Sequence, residues 1–301
     1  MREVRSKKSE IRSKKLEVRN RKKSCILHLA SCFLSLASRL LPLFLLLTAV
    51  IGCSHDTATP AYEKAEDLFA QRSYVKAIAS YNTIVTKYPE SQYASASQYK
   101  IGLIYNLYLK DVRRAMNAYA ALMLLYPNSK EIVMARQDIA EIYVKSGDYR
   151  KAIGEYQWLI KNTGGARSNN FQYQIAMAYL KLTDIKQARI ELQEIIKNPP
   201  SSELGPKVYY EIANTYYLEG NYKEAIKAYE MVVSLYPNSQ YAYEAQLGKA
   251  VCIEETGNLA EAITLYKELE KSYPNPGVIK IRLDAIEARE KKNIPVALKE
   301  N

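Results

Sequence analysis

Residues 206–237 read Pro206-Lys-Val-Tyr-Tyr-Glu-Ile-Ala-Asn-Thr-Tyr-Tyr-Leu-Glu-Gly-Asn-Tyr-Lys-Glu-Ala-Ile-Lys-Ala-Tyr-Glu-Met-Val-Val-Ser-Leu-Tyr-Pro237. Two helical patterns flank Glu219-Gly220-Asn221. The first places Tyr209, Ile212, Ala213, Tyr216 and Tyr217 on one face, and the second does the same with Tyr222, Ala225, Ile226, Tyr229 and Val232. Both follow the 3.6-residue period of an amphipathic helix. Gly220 supplies the positive φ that lets the first helix stop and the chain reverse, and Pro237 ends the second helix.

The unit recurs along the chain. Small residues anchor the second helices at Ala77, Ala115, Ala152, Ala188, Ala225 and Ala262, at intervals of 36 to 38 residues. Four residues after each anchor stand Tyr81, Tyr119, Tyr156, Leu192, Tyr229 and Tyr266, and twelve after it Pro89, Pro127, Gly164, Pro200, Pro237 and Pro274. The first helices repeat Ala65, Gly102, Ala140, Ala176, Ala213 and Ala250. This period with these residues resembles the tetratricopeptide repeat. The resemblance implies an all-α, right-handed solenoid of six helical hairpins at about 61–91, 92–129, 133–165, 169–201, 206–239 and 240–276. A single hairpin cannot bury its apolar face, so each stacks on the next. A capping helix is expected over 277–292, with Val278, Ile281, Ala285 and Ala288 inward and Arg282 and Arg289 outward, before a tail at 293–301.

The formal charge of +11 suggests a nucleic-acid partner until it is divided along the chain. Residues 1–52 hold 12 Lys/Arg against 3 Asp/Glu, which leaves 31 against 29 for the remainder. The basicity therefore belongs to the N-terminus, and no cationic face is expected on the folded part. A charged stretch to residue 24, an apolar segment Leu40–Gly52 and small residues before a cleavage point describe an export signal. Val50-Ile51-Gly52-Cys53 resembles the bacterial lipobox, which implies signal removal at residue 52, a covalent lipid on Cys53 and, with Ser54 following, the periplasmic face of the outer membrane. An uncleaved anchor and an ordinary signal peptide remain open. Residues 53–60 read as the lipidated cysteine and its linker. The seven residues from Ser54 to Pro60 reach at most about 25 Å, so the repeats are expected close to the membrane. Cys252 alone remains as a thiol and reads as a small buried hydrophobe.

No catalytic constellation is legible. Past the signal His55 is the only histidine, too few for a Ser/His/Asp arrangement or a histidine metal cluster. No phosphate loop appears, and the pair Glu254-Glu255 reads as solvated helix surface. A non-enzymatic binding surface is expected, with no cofactor beyond the lipid, no metal, no nucleic acid and no small-molecule substrate. The resemblance places the first helices on the concave side. Tyr62, Tyr99, Gln137, Tyr173 and Tyr210 then stand three residues before the small positions, Glu141 and Asn214 one after, and Tyr217 four after. Rigid aromatic rings with few charges suit a segment of another protein. The joints Tyr88-Pro-Glu-Ser91, Tyr126-Pro-Asn-Ser129 and Tyr236-Pro-Asn-Ser239, each followed by an Ala-rich helix, look like two envelope families. These are the lipoprotein of the outer-membrane β-barrel assembly machine and the cell-division coordinator of the Tol–Pal system. Pilus or secretion assembly and glycan binding are the alternatives.

Overall fold

A computed structural model describes residues 58–197 and 203–293. The signal, Cys53, most of the linker, part of the fourth joint and the tail beyond residue 293 lie outside the described residues. Those described fold into α1 (Ala58–Ala70), α2 (Tyr74–Lys87), α3 (Ala94–Leu103), α4 (Val112–Leu125), α5 (Glu131–Ser146), α6 (Tyr149–Thr163), α7 (Ala166–Lys181), α8 (Ile185–Lys197), α9 (Leu204–Leu218), α10 (Tyr222–Leu235), α11 (Gln240–Glu255), α12 (Leu259–Glu270) and α13 (Pro276–Asn293). From α2 onward each helix packs against the next, and α3 also meets α5 as α9 meets α11. This is the all-α solenoid expected from the repeat.

The small residues set the packing. All twelve are buried, and the eleven alanines among them have no exposed surface. The large residue four positions after each anchor is buried as well. Gly102 shows why one site admits no side chain: a Cβ there would lie 2.4 Å from Cε1 of Tyr119. Local cores therefore run along the stack, such as Ala213, Ala225, Tyr229, Val232, Ala245 and Cys252 around the fifth hairpin. Cys252 is buried as read from the sequence, and burial pushes its thiol up to about 11.

Each hinge reverses through one residue at positive φ, five places before the anchor: Arg72, Lys110, Gly147, Thr183, Gly220 and Gly257, with φ between 55° and 85°. Gly220 was legible. Threonine at such a φ is strained, because its branched Cβ crowds the following carbonyl. The second hairpin holds one extra residue between its small positions, 13 instead of 12. It is absorbed by a π-helical turn, Ile104–Tyr108, that continues α3, as single insertions into helices commonly are.

The joint serines serve unequally, and two sequence expectations are corrected. Ser239 caps α11, its Oγ accepting from Ala242 N at 3.2 Å, but Ser91 and Ser129 leave their hydroxyls buried without a partner while α3 and α5 start later. The capping helix turns its larger aliphatics inward: Ile279, Leu283 and Ile286 are buried, while Val278, Ile281, Ala285 and Ala288 are exposed. Glu254 is buried, and Arg282 and Arg289, partly exposed as expected, reach back to pair with its carboxylate.

Candidate functional site

The structure divides the residues expected on the first-helix face by what the second helices demand of them. A buried tyrosine hydroxyl needs a hydrogen-bond partner. Tyr81 donates to Glu66 Oε1 at 2.6 Å, and Tyr229, fifteen residues after Asn214 as Tyr81 is after Glu66, donates to Asn214 Oδ1 at 2.6 Å. The Asn214 amide also donates to Glu211 Oε2 at 3.0 Å. Asn214 thus supports the stack. In the fourth hairpin the same two positions are Met177 and Leu192, packed in one apolar cluster.

Tyr173 is likewise taken by the core. It is 5% exposed, packs with Leu192, Ile195, Val208 and Ile212, and carries the Lys207 ammonium 4.5 Å over its ring. Its ring is a packing element, because it closes the wedge between α7 and α9.

The remaining tyrosines are half-buried. Tyr62 stacks on Tyr93 at 4.5 Å and 16°, and burial, with Glu66 beside it, pushes its hydroxyl up to about 12. Tyr99 lies 6.0 Å from Tyr119. Tyr210 lies 5.5 Å from Tyr241, and Tyr217 lies 5.9 Å from Tyr222. Tyr93 and Tyr241 were not singled out in the sequence. Both stand 31 residues after the tyrosine they meet, a spacing that would have found them.

Gln137 and Glu141 are brought together. They line a cavity of about 310 Å³ with Val144 and Lys145 of α5, Tyr156 of α6, and Asn170, Phe171 and Gln174 of α7. Its floor is apolar and aromatic, and its rim holds three carboxamides, one carboxylate and one ammonium. Carboxamides both donate and accept, so they match a backbone N–H and C=O side by side. Burial, and next the Glu141 carboxylate, push Tyr156 up to about 12. A larger cavity of about 440 Å³ between α10, α11 and α12, under the Lys249–Glu230 ion pair, includes none of the first-helix face positions.

Beside Glu141, Asp138 accepts from the Tyr119 hydroxyl at 2.7 Å. Burial raises its carboxyl above the ordinary 3.8, against the lowering by the Tyr119 and Tyr99 hydroxyls. A raised acid holds its proton longer in the folded state than in the unfolded one. Its contribution is therefore full below 3.8 and is lost as pH climbs through the folded value. Asp138→Asn keeps an acceptor for Tyr119 without the charge. It is expected to match or exceed the parent in stability at neutral pH and to lack the parent's decline as pH climbs from 3.8 through the folded value. Urea unfolding at a series of pH values checks both.

Tetratricopeptide-repeat family models match residues 96–129, 138–203, 206–239 and 244–276, together more than half of the 301 residues. A comparison with curated proteins finds no match. Among solved structures, a tetratricopeptide repeat protein from Parabacteroides merdae is similar with a TM-score of 0.50 at 17% identity, covering 77% of this chain and 99% of that one. The C-terminal part of a repeat-containing protein from Cytophaga hutchinsonii gives a TM-score of 0.54 at 20% identity, covering 70% of this chain and 78% of that one. At such identities the likeness is one of fold. The chain belongs to the tetratricopeptide-repeat family.

Proposed function

We propose that the chain is a non-enzymatic scaffold that binds segments of other envelope proteins, held to the periplasmic face of the outer membrane by a lipid on Cys53. The observation that carries the binding half is the cavity at Gln137 and Glu141, where carboxamides ring an aromatic floor. An extended segment satisfies its backbone on the amides and seats an apolar side chain on Phe171 and Tyr156. The lipobox-like Val50–Cys53 supports the anchor, and lipidation with immediate entry into the repeats favours outer-membrane protein assembly. A second reading, Tol–Pal-linked cell division, is favoured by Ser91-Gln-Tyr-Ala-Ser-Ala-Ser-Gln-Tyr-Lys-Ile-Gly-Leu-Ile-Tyr105.

Mild crosslinking in membranes of the native cell, with mass spectrometry of partners and of the N-terminal peptide, tests it. A triacylated Cys53 with a β-barrel assembly protein is the expected result. Tol–Pal components would move the chain to the second reading. An N-terminus still at Met1 would contradict the lipid anchor.

A further inference from the structure

The hinge of the second repeat differs from the other five. Just before its positive-φ residue it carries Leu107-Tyr108-Leu109, whereas the corresponding residues elsewhere are mostly polar or small, such as Lys145-Ser146 and Glu255-Thr256. On and after the π-helical turn the apolar side chains face outward together: Leu107 is 41% exposed, Tyr108 44%, and Val112, the next apolar residue, 48%.

The protrusion is ordered. Leu109 N donates to Ile104 O at 3.0 Å and Asp111 N to Tyr105 O at 2.8 Å. Tyr108 is stacked on Tyr74 at 4.5 Å and set edge-on to Phe69 at 5.4 Å. These rings join the first hinge to the second. Around the apolar tip stand Arg72 and Lys110, the positive-φ residues of the two hinges, and Arg113, all exposed. Of the carboxylates on the same stretches, Asp111 is paired with Arg114 at 2.6 Å, and exposed Asp67 remains against the three cations. No other hinge combines consecutive apolar residues with this charge.

We infer that this two-hinge edge docks on a lipid surface bearing anionic headgroups. Leu107, Leu109 and Val112 enter the boundary between headgroup and acyl chain, the Tyr108 ring sits at headgroup depth, and the cations meet lipid phosphates. A protein partner would take the apolar tip equally well, but the excess of cations with one unpaired carboxylate favours the anionic surface. The inference uses neither the Gln137 cavity nor a lipid on Cys53, so it stands or falls separately from the proposed function.

The test uses the full chain carrying Tyr108→Trp, added to vesicles of phosphatidylglycerol and phosphatidylethanolamine with brominated acyl chains. Its emission is compared with that of the parent, whose single tryptophan is Trp158. The added indole is expected to be quenched and blue-shifted. Plain phosphatidylcholine analogues should leave it unquenched, and Lys110→Gln with Arg113→Gln should lower the partition coefficient roughly 30-fold, each cation being worth about fivefold at such a surface. Leu107→Trp gives the same reading without touching the Tyr74–Phe69 ring cluster. An indole that stays in water at both positions with anionic vesicles overturns the inference and leaves the tip to a protein partner. Equal quenching in both lipids overturns the role of charge.

Discussion

Tyr119→Ala should lower the stability of the folded chain by about 3–5 kcal/mol, the range for emptying a large aromatic site in a core. Tyr119 has no exposed surface. Its ring lies against the bare backbone of Gly102, and its neighbours include Leu122, Ile132, Ala135 and Ile139. Truncation opens a void between α3, α4 and α5, and it takes from the half-buried Asp138 the hydroxyl that donates to it at 2.7 Å. Tyr119→Phe keeps the ring and should cost only about 1–2 kcal/mol, the loss of one hydrogen bond to a half-buried acceptor. The gap between the two substitutions separates packing from polarity. A solenoid sums local interfaces, so the damage should also be local. Urea unfolding read by hydrogen exchange is expected to show α3 to α5 opening first, with α9 to α12 near their parental protection. Uniform loss of protection would contradict a stack of separate cores.

The second large effect concerns the end of the stack. Replacing both Arg282 and Arg289 with alanine strands the Glu254 carboxylate, whose side chain is 1% exposed. Arg289 Nη1 lies 3.0 Å from Oε1 and Arg282 Nη1 3.6 Å from Oε2. The Tyr266 hydroxyl, donating at 2.8 Å, then remains as partner. Breaking a fully buried pair costs about 3–5 kcal/mol. Both arginines are more than a third exposed, so about 2–4 kcal/mol is expected here. The loss should appear as fast amide exchange across α13. Ile279, Leu283 and Ile286 would then be uncovered, and sedimentation should show concentration-dependent association. Adding Glu254→Leu removes the stranded charge and should restore much of the stability. No recovery would mean that the arginines act through something other than Glu254.

Much of the fold was legible because it is periodic. The twelve small positions and the anchor-plus-four residues fixed the hairpins, and Gly220 marked a reversal that the structure repeats at every hinge. What escaped reading depends on partners in the next repeat. Glu254 looked like a surface glutamate because nothing local shows two arginines arriving from a helix some thirty residues on. The inward face of α13 was set one step out of phase because Val278, Ile281, Ala285 and Ala288 fit the helical period as well as Ile279, Leu283 and Ile286. Size decided between them. On the first-helix face the offsets found Gln137 and Glu141, which share a cavity. They also selected Asn214 and Tyr173, which serve the stack. Spacing alone does not separate them, since Glu141 stands fifteen residues before Tyr156 as Asn214 does before Tyr229; the structure separates them, the Tyr229 hydroxyl donating to Asn214 while Glu141 lines the cavity. Phe171, Asn170 and Gln174 were missed, since their place opposite Gln137 comes from how α7 lies on α5 after the Gly164-Gly165 joint.

The central claim is that the first-helix face, and not the convex side, holds the partner. A photo-crosslinking residue placed at Gln137 in the full chain, in the native cell, tests it directly. A second such residue at Lys227 on α10, whose side chain is 69% exposed, serves as the comparison. The account predicts a discrete adduct from Gln137, none from Lys227, and at least about a tenfold loss of the Gln137 adduct when Glu141→Arg is added. Equal adducts from both positions, or a Gln137 adduct indifferent to Glu141→Arg, would contradict it.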